Sequence, residues 1–408
     1  MTSSIHIGIV ADDLTGANDT AVQFGTRGWD ARIALDEDAT LTGQVVAVSS
    51  DARPLAEGPA AAATEAAIER LNPTRLYLKI DSTARGSIAA QVTGALGAWQ
   101  RRYPDAVAVV CPAYPAMART VEAGEVRVAG IPVHRTAIGT DPVTPVTESS
   151  LVARIPNARS ATIDEVGSAA PGEILVLDAR SPAQLDQFAI RLAELGERVI
   201  VVGSAGFAES LARHLPGDRD VVDAPRPSGR SVILLSSLNP VSHAQADALT
   251  SFAPDQVRVV TPSGADLGGT TPQAEGDGGV PPAPITLIRT PQDRVAEGDG
   301  SAAAAVADAL AAVTVSIIER EHPAVVGLVG GDGARAVLRR LGAVALAVRD
   351  AAVEGAPLMT IVGGPHDGLP VWTKAGGFGE PDALLRILEH TGALAAPTAS
   401  PSVKEDTP

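Results

Sequence analysis

The chain has 408 residues, more than one hydrophobic core ordinarily organises, so two domains are expected. A net charge of −16 excludes a broad basic surface for nucleic acid or an anionic membrane, and any anionic partner would need basic residues gathered locally in a cleft. The single cysteine, Cys111, rules out an intramolecular disulfide or a thiolate metal cluster. With no signal-like N-terminus and no membrane-length apolar run, the sequence reads as cytoplasmic.

Aromatic residues make up only 3% of the chain against 45% hydrophobic, so the core must be built from Val, Ala, Leu and Ile, as suits strands buried between helices. In chain order, strands are predicted at Ile5–Ala11, Gln44–Ser49, Arg75–Ile80, Val107–Cys111, Ile174–Asp178 and Val199–Gly203. Ala-rich amphipathic stretches such as Ala60–Leu71 and Ser87–Arg102 alternate with them as helices. Asp223–Gly229 reads as a linker because its two prolines and one glycine extend neither element. A second alternation follows, with a strand Ser231–Ser236, a helix Val241–Leu249 and a strand Gln256–Thr261. The Gly, Pro and Thr content of Pro262–Pro284 predicts a mobile loop. After it come a helix over Ser301–Glu319, a strand Ala324–Val329, a helix Ala334–Leu341, a strand near Val371 and a helix Pro381–His390. The expected architecture is α/β: a first domain over 1–222, the linker, a second domain over 230–395 and a disordered tail over 396–408. Each domain would be a largely parallel sheet flanked by helices.

Ligands of open α/β sheets sit beyond the carboxyl ends of the strands, so the residues just after each strand carry the functional signal. The first strand ends on adjacent acids, Asp12 and Asp13, directly before a helix. One can be an N-cap, but both cannot cap the same helix. The third strand ends in KIDSTARGS, bringing Lys79, Asp81, Ser82 and Arg85, although Asp81 can equally be a cap. After the fourth comes a loop with Arg119, Gly124, Gly130, His134 and Asp141. Both signs of charge at one sheet edge suit a polyhydroxylated carboxylic acid, with arginines gripping the carboxylate and aspartates accepting from hydroxyls. His134 alone is weak evidence, since a lone histidine is more often a surface or core residue than a ligand.

The second domain carries Gly-rich turns at strand–helix junctions: Gly330, Gly331, Asp332 and Gly333; a loop containing Gly364; and Lys374 followed by Gly376, Gly377 and Gly379. Such turns let backbone N–H groups approach a phosphate. No Walker-type motif and no G-x-G-x-x-G after the first strand are present, which disfavours a P-loop ATPase and an NAD-dependent dehydrogenase.

ADDLTGANDTA, KIDSTARGS, CPAYPAMARTVEAG, GSAGFAESLA, GGDGARAVLRRLG and KAGGFGEPDALL together resemble the four-carbon acid sugar kinase family, the D-threonate, D-erythronate and 3-oxo-tetronate 4-kinases, from about Ile5 to His390. The resemblance implies an N-terminal sugar-acid domain, a C-terminal domain binding ATP with Mg²⁺, and an active site in the interdomain cleft. The Asp12–Asp13 and Lys79–Arg85 pocket would hold the acid. Ser236–Ser237, the GGDGA turn and the KAGGFG loop would hold ATP. This sequence departs from the family at the nucleotide side. Gly333 stands where a Thr usually follows the acid, and Ser236, Asn239 and Ser242 replace the usual Gly, Ser and Thr.

The expected reaction transfers the γ-phosphate of ATP to the C4 hydroxyl of D-threonate or D-erythronate, with Asp12 first and Asp13 second as proton acceptor and Lys79 or Arg85 neutralising the carboxylate. The alternatives are a 3-oxo-tetronate kinase, or a sugar-acid sensor with weakened ATP use. Partners would be limited to the small-molecule acid and, as one assembly option, a second copy of the chain in a homodimer.

Overall fold

The computed structural model describes residues 5–36, 40–141, 143–219, 226–262, 283–291 and 300–394. The expected loop over 262–284, the first part of the linker and the expected tail fall largely outside these residues. The strands and helices in the first half are β1 Ile7–Ala11, α1 Leu14–Gly25, β2 Ala31–Ala34, β3 Val45–Ser49, α2 Glu57–Leu71, β4 Arg75–Lys79, α3 Ile88–Gln100 and β5 Val107–Cys111. They continue with β6 Arg119–Glu122, β7 Glu125–Val128, β8 Ile131–Pro132, α4 Leu151–Arg154, β9 Ala158–Ala161, β10 Ile174–Leu177, α5 Pro182–Leu195, β11 Val199–Gly203 and α6 Ala205–His214. The second half adds β12 Ser231–Leu235, α7 Pro240–Phe252, β13 Val257–Val260, β14 Ile285–Arg289, α8 Gly300–Glu321, β15 Val325–Val329 and α9 Gly331–Arg340. It closes with β16 Ala345–Val353, β17 Ala356–Val362, β18 Pro370–Lys374 and α10 Ala383–His390. Among the described residues no helix is long and apolar enough to cross a membrane.

These elements form two compact α/β units; the first takes the N-terminal half together with Leu341–Ala351 and Pro357–Gly368. Its strands run in the order β17-β16-β2-β3-β1-β4-β11-β5-β10-β9. From β2 to β9 all pairings are parallel, and β16 joins β2 antiparallel. All five residues of β1, of β5 and of β11 are buried, which is why these strands read as unbroken apolar runs. The registers bring Ser49, Ala11, Lys79, Gly203 and Cys111 into one row across five strands. The segments that follow that row are therefore delivered to one edge.

The second unit has the strand order β13-β14-β12-β15-β18, all parallel, and its registers align Arg289, Leu235, Val329 and Lys374 in a comparable row.

Two expectations change. The loop predicted after Arg119 is instead a three-stranded antiparallel sheet, β6-β7-β8. Its turns are the two Ala-Gly pairs, Ala123–Gly124 and Ala129–Gly130, all four residues with φ between 49° and 79°. Positive φ at both central residues is the turn that matches the twist of a hairpin, and alanine in the first position hides it from the sequence. The helix predicted from Ala334 begins three residues earlier, at Gly331, so Gly331-Asp332-Gly333 is its first turn.

Candidate functional site

At the edge of the first unit, Asp13 caps α1: its backbone is extended (φ −150°, ψ 163°) and its Oδ1 accepts from the Gly16 N–H at 2.7 Å. Asp12 does not cap. Its side chain has no exposed surface, and both its oxygens accept from one guanidinium, that of Arg53, through Nε (2.9 Å) and Nη2 (2.8 Å). The third nitrogen, Nη1, donates to Asp13 Oδ2 at 2.6 Å, and Nη2 lies 3.7 Å from Asp81 Oδ2. One half-buried arginine thus holds three carboxylates. Burial pushes Asp12 above the ordinary carboxylate range against the pull of Arg53; burial lowers Arg53 in turn, but the carboxylates outweigh it and hold the guanidinium well above its usual value.

Asp81 is organised by its own turn. Its Oδ1 accepts from the Thr83 N–H at 2.8 Å and from the Thr83 hydroxyl, and its Oδ2 from Arg85 Nη2 at 2.7 Å. Burial alone would raise Asp81, but Arg53 and Arg85 outweigh it and hold the carboxyl far below the usual range. Arg85 also reaches Asp141 at 3.4 Å. Arg154 fixes the same turn from outside by donating to the Ala84 and Gly86 carbonyls at 2.7 and 3.3 Å.

Lys79 differs from these. It is 6% exposed, its Nζ lies so close to Gly16 that a Cβ there would be 2.8 Å from it, and it has no hydrogen-bond or ion-pair partner among the described residues. An unpartnered ammonium on a largely buried side chain, set against the first turn of α1 and so against the positive end of a helix, is a strongly anion-seeking arrangement. Arg119 is also without a carboxylate partner among the described residues. It donates from Nη1 to the Met117 carbonyl, while its buried Nε meets nothing.

Two predicted residues are engaged locally. Gly124 is a hairpin turn pinned by Asp178, whose carboxylate accepts from the Ala123 and Gly124 N–H groups. His134 is engaged locally. Its Nδ1 lies 2.7 Å from Ser149 Oγ, and its Nε2 accepts from Arg135. Ser82 is half-buried beside Asp81. Arg53 was not anticipated, since it stands in DARPLAEG with no motif around it. The signal available was charge balance, because three neighbouring acids require a cation.

In the second unit, Lys374 is 2% exposed, and its Nζ donates to the Ala375 and Phe378 carbonyls at 2.8 and 2.7 Å. Gln245 donates to the carbonyls of Phe378, Gly379 and Glu380, and the Ser242 hydroxyl to that of Gly376. The loop 375–380 thus has its carbonyls drawn inward by three side chains. No donor bond from the Gly376 or Gly377 amides is found among the described residues. Inward carbonyls and unengaged amides make an anion-receptive loop. Gly330, at φ +105°, and Gly333 approach Ser236, while Gly376 packs on Ser237 and Gly377 on Asn239. Asp332 is exposed in the first turn of α9, and Gly364 follows β17 and packs on Gly342 within the first unit. Arg289, at the end of β14, was likewise not foreseen. It donates from Nε to His243 Nδ1 at 3.0 Å and pairs with Asp247.

Family models match both units: a sugar-binding N-terminal domain over residues 7–211 and a nucleotide-binding C-terminal domain over residues 232–384. A D-threonate kinase of Bordetella bronchiseptica is 37% identical over 94% of this chain and 97% of its own length. A D-erythronate kinase of Heliobacterium modesticaldum is 28% identical over the same shares. A crystal structure described as a putative tRNA synthase from Salmonella typhimurium LT2 covers 94% of this chain and 98% of its own, with a TM-score of 0.75 at 19% identity, and shares the fold.

Proposed function

The chain belongs to the four-carbon acid sugar kinase family, and on that premise we propose that it phosphorylates the C4 hydroxyl of D-threonate or D-erythronate with ATP. The observation that carries the substrate half of the reading is Lys79, a side chain 6% exposed whose ammonium lacks an acceptor at the N-terminus of α1. With Arg119 it offers two cations to a carboxylate, whereas Arg53 is saturated by aspartates and Arg85 is paired with Asp81 and Asp141, only its Nε lacking a partner. The hydroxyls of the acid then fall to Asp13 and the Asp81–Ser82 turn.

Asp13 is the better proton acceptor of the adjacent pair. Its side chain is 31% exposed, while Asp12 is enclosed and commits both oxygens to Arg53. Asp12 acts as the anchor that orients Arg53, and Arg53 in turn fixes the Asp13 carboxylate that would receive the C4 hydroxyl proton. The nucleotide phosphates lie on the amides of the 375–380 loop and the first turn of α9.

Among the described residues no group of three or more His, Cys, Asp or Glu side chains could cage a metal. Mg²⁺ would be carried mainly by phosphate oxygens and water, with the exposed Asp332 the carboxylate nearest the first turn of α9 to assist it. Bound there, the ion would neutralise phosphate charge.

ADP release measured with ATP, Mg²⁺ and a panel of four-carbon sugar acids tests the proposal. Turnover confined to a 3-oxo acid would reassign the substrate. Binding of an acid without ADP from any member would favour a sensor and sink the kinase reading.

A further inference from the structure

Gly16 stands in the first turn of α1, and its φ lies outside the left-handed region, so the backbone there does not require glycine. A glycine within a helix costs about 1 kcal/mol relative to alanine, and what it leaves here is space. A Cβ built on Gly16 would lie 2.7 Å from Asp13 Oδ1 and 2.8 Å from Lys79 Nζ. The carboxylate oxygen and the ammonium therefore face one point, and they are at most about 5.5 Å apart, the sum of those two distances. They are not in contact, since no ion pair within 4.0 Å joins them among the described residues.

A gap of that width has the dimensions of one bridging oxygen. An oxygen that accepts from N–H at about 2.9 Å and donates O–H at about 2.7 Å separates its partners by about 4.5–5.5 Å over ordinary angles. The two sides also select which oxygen. A lysine ammonium only donates and an ionised carboxylate only accepts, so the bridging group must do both. A hydroxyl does, whereas an oxygen of an incoming carboxylate has no proton to give to Asp13. Asp13 Oδ1 accepts from the Gly16 N–H at 2.7 Å and keeps a second lone pair for this bond. Lys79 has three N–H donors, so one aimed here leaves two for the substrate carboxylate.

We propose that the gap over Gly16 receives the hydroxyl that is phosphorylated, with Lys79 donating to its oxygen while Asp13 takes its proton. Lys79 is then a catalytic residue, and Gly16 is the positioning residue that keeps the gap open. As the O–H bond breaks towards Asp13, the oxygen's electron pair forms the bond to the γ-phosphorus. The bond from that phosphorus to the ADP oxygen breaks and releases ADP. The ammonium offsets the charge that the attacking oxygen gains as its proton leaves, a contact stronger in the transition state than in the ground state. The inference rests on the reading of the chain as a four-carbon acid kinase with Asp13 as proton acceptor, and it gives Lys79 a part in the chemistry beyond neutralising the carboxylate.

Lys79→Met and Gly16→Ala test it. Each is assayed for ADP release with the four-carbon acid that the unaltered protein turns over, and with the primary amide of that acid, which carries no carboxylate charge. Lys79→Met should lower kcat on the order of 10²-fold, as for loss of one donor to a developing oxyanion, and should do so with the amide as well. A lysine that only grips the carboxylate would instead raise KM for the acid with kcat nearly unchanged, and that result would overturn the proposal. Where the amide is not turned over at all, the split between kcat and KM for the acid decides alone. Gly16→Ala puts a methyl group into the gap, so kcat should fall on the order of 10²-fold. Its melting temperature should stay within about 3 °C, because the helix gains an alanine while the Asp13 cap is strained. A kcat of Gly16→Ala within about twofold of the unaltered protein would overturn the gap as the place of the reacting hydroxyl. No ADP from the unaltered protein with any four-carbon acid would overturn the underlying kinase reading, which separates that failure from failure of the inference.

Discussion

Replacing Arg53 by methionine keeps most of the side-chain length and deletes the charge that three carboxylates share. Asp12 would then be a carboxylate with no exposed surface, beside Asp13 and without its two hydrogen bonds. Removing one partner of a buried ion pair costs about 3–5 kcal/mol, because the surviving charge stays buried without compensation. For a unit of this size each kcal/mol moves the melting temperature by about 2–4 °C, so a fall on the order of 10 °C is expected in the transition of the first unit. The pH dependence has a definite sign. Burial already raises Asp12, and without Arg53 its folded-state pKa rises further above the unfolded value. The penalty is then complete above that folded value and shrinks as pH falls through it, so the deficit of Arg53→Met should be smaller near about pH 5 than near about pH 8. Adding Asp12→Asn should restore much of the loss. Calorimetric melts across pH check this. A deficit that does not change with pH, or a double variant no more stable than Arg53→Met, would refute the account of Arg53 as the counter-charge of Asp12.

Asp13→Asn preserves an oxygen for the Gly16 N–H, so melting should change little while kcat falls on the order of 10²–10⁴, as for loss of a general base; near-normal kcat would remove Asp13 from that role. Lys374→Met should release the 375–380 loop and raise KM for ATP on the order of tenfold, from two lost charge-assisted hydrogen bonds, with KM for the acid unchanged; equal effects on both would deny it a role confined to the loop. Asp81 is held below its usual range by Arg53 and Arg85 against burial. The stability it contributes is present above the unfolded carboxylate value of about 4 and is lost as pH falls towards its folded value. Asp81→Asn should therefore flatten the acid side of the melting profile, and an unchanged acid slope would contradict the assignment.

The strands buried on both faces were legible in the sequence because burial on both sides writes a continuous apolar run. β5 and β11 match their predicted bounds, and β1, β3, β4 and β10 are one or two residues shorter at one end. β2 and β9 were illegible: four residues each, half-exposed, they leave too short a pattern to separate from coil. β16 buries only two of its nine residues. The hairpin was hidden by alanines at positive φ, where the tertiary fold overrides a preference that would have called for glycine or asparagine. In the site, Asp12, Asp13, Lys79, Asp81 and Arg85 were read from their positions after strand ends. Arg53 could not be, because it lies four residues beyond β3, where its backbone N–H donates to the Asp12 carbonyl at 3.2 Å and no sequence pattern marks that contact.

The adjacent acids at the end of β1 oppose each other until the counter-charges are assigned individually. Arg53 is spent on Asp12 and Asp13, and Arg85 on Asp81 and Asp141. Each arginine is thereby rigid and partly hidden, which suits holding other groups in place better than gripping an incoming anion. Lys79 and Arg119 remain without acceptor carboxylates among the described residues, and an acid with one negative charge completes what they lack. Four acids facing four cations leave the pocket close to neutral before substrate arrives, inside a protein of net charge −16. Long-range attraction therefore cannot be what selects the substrate. Recognition has to rest on short hydrogen bonds to groups fixed in advance, and Asp12 keeps Arg53 fixed.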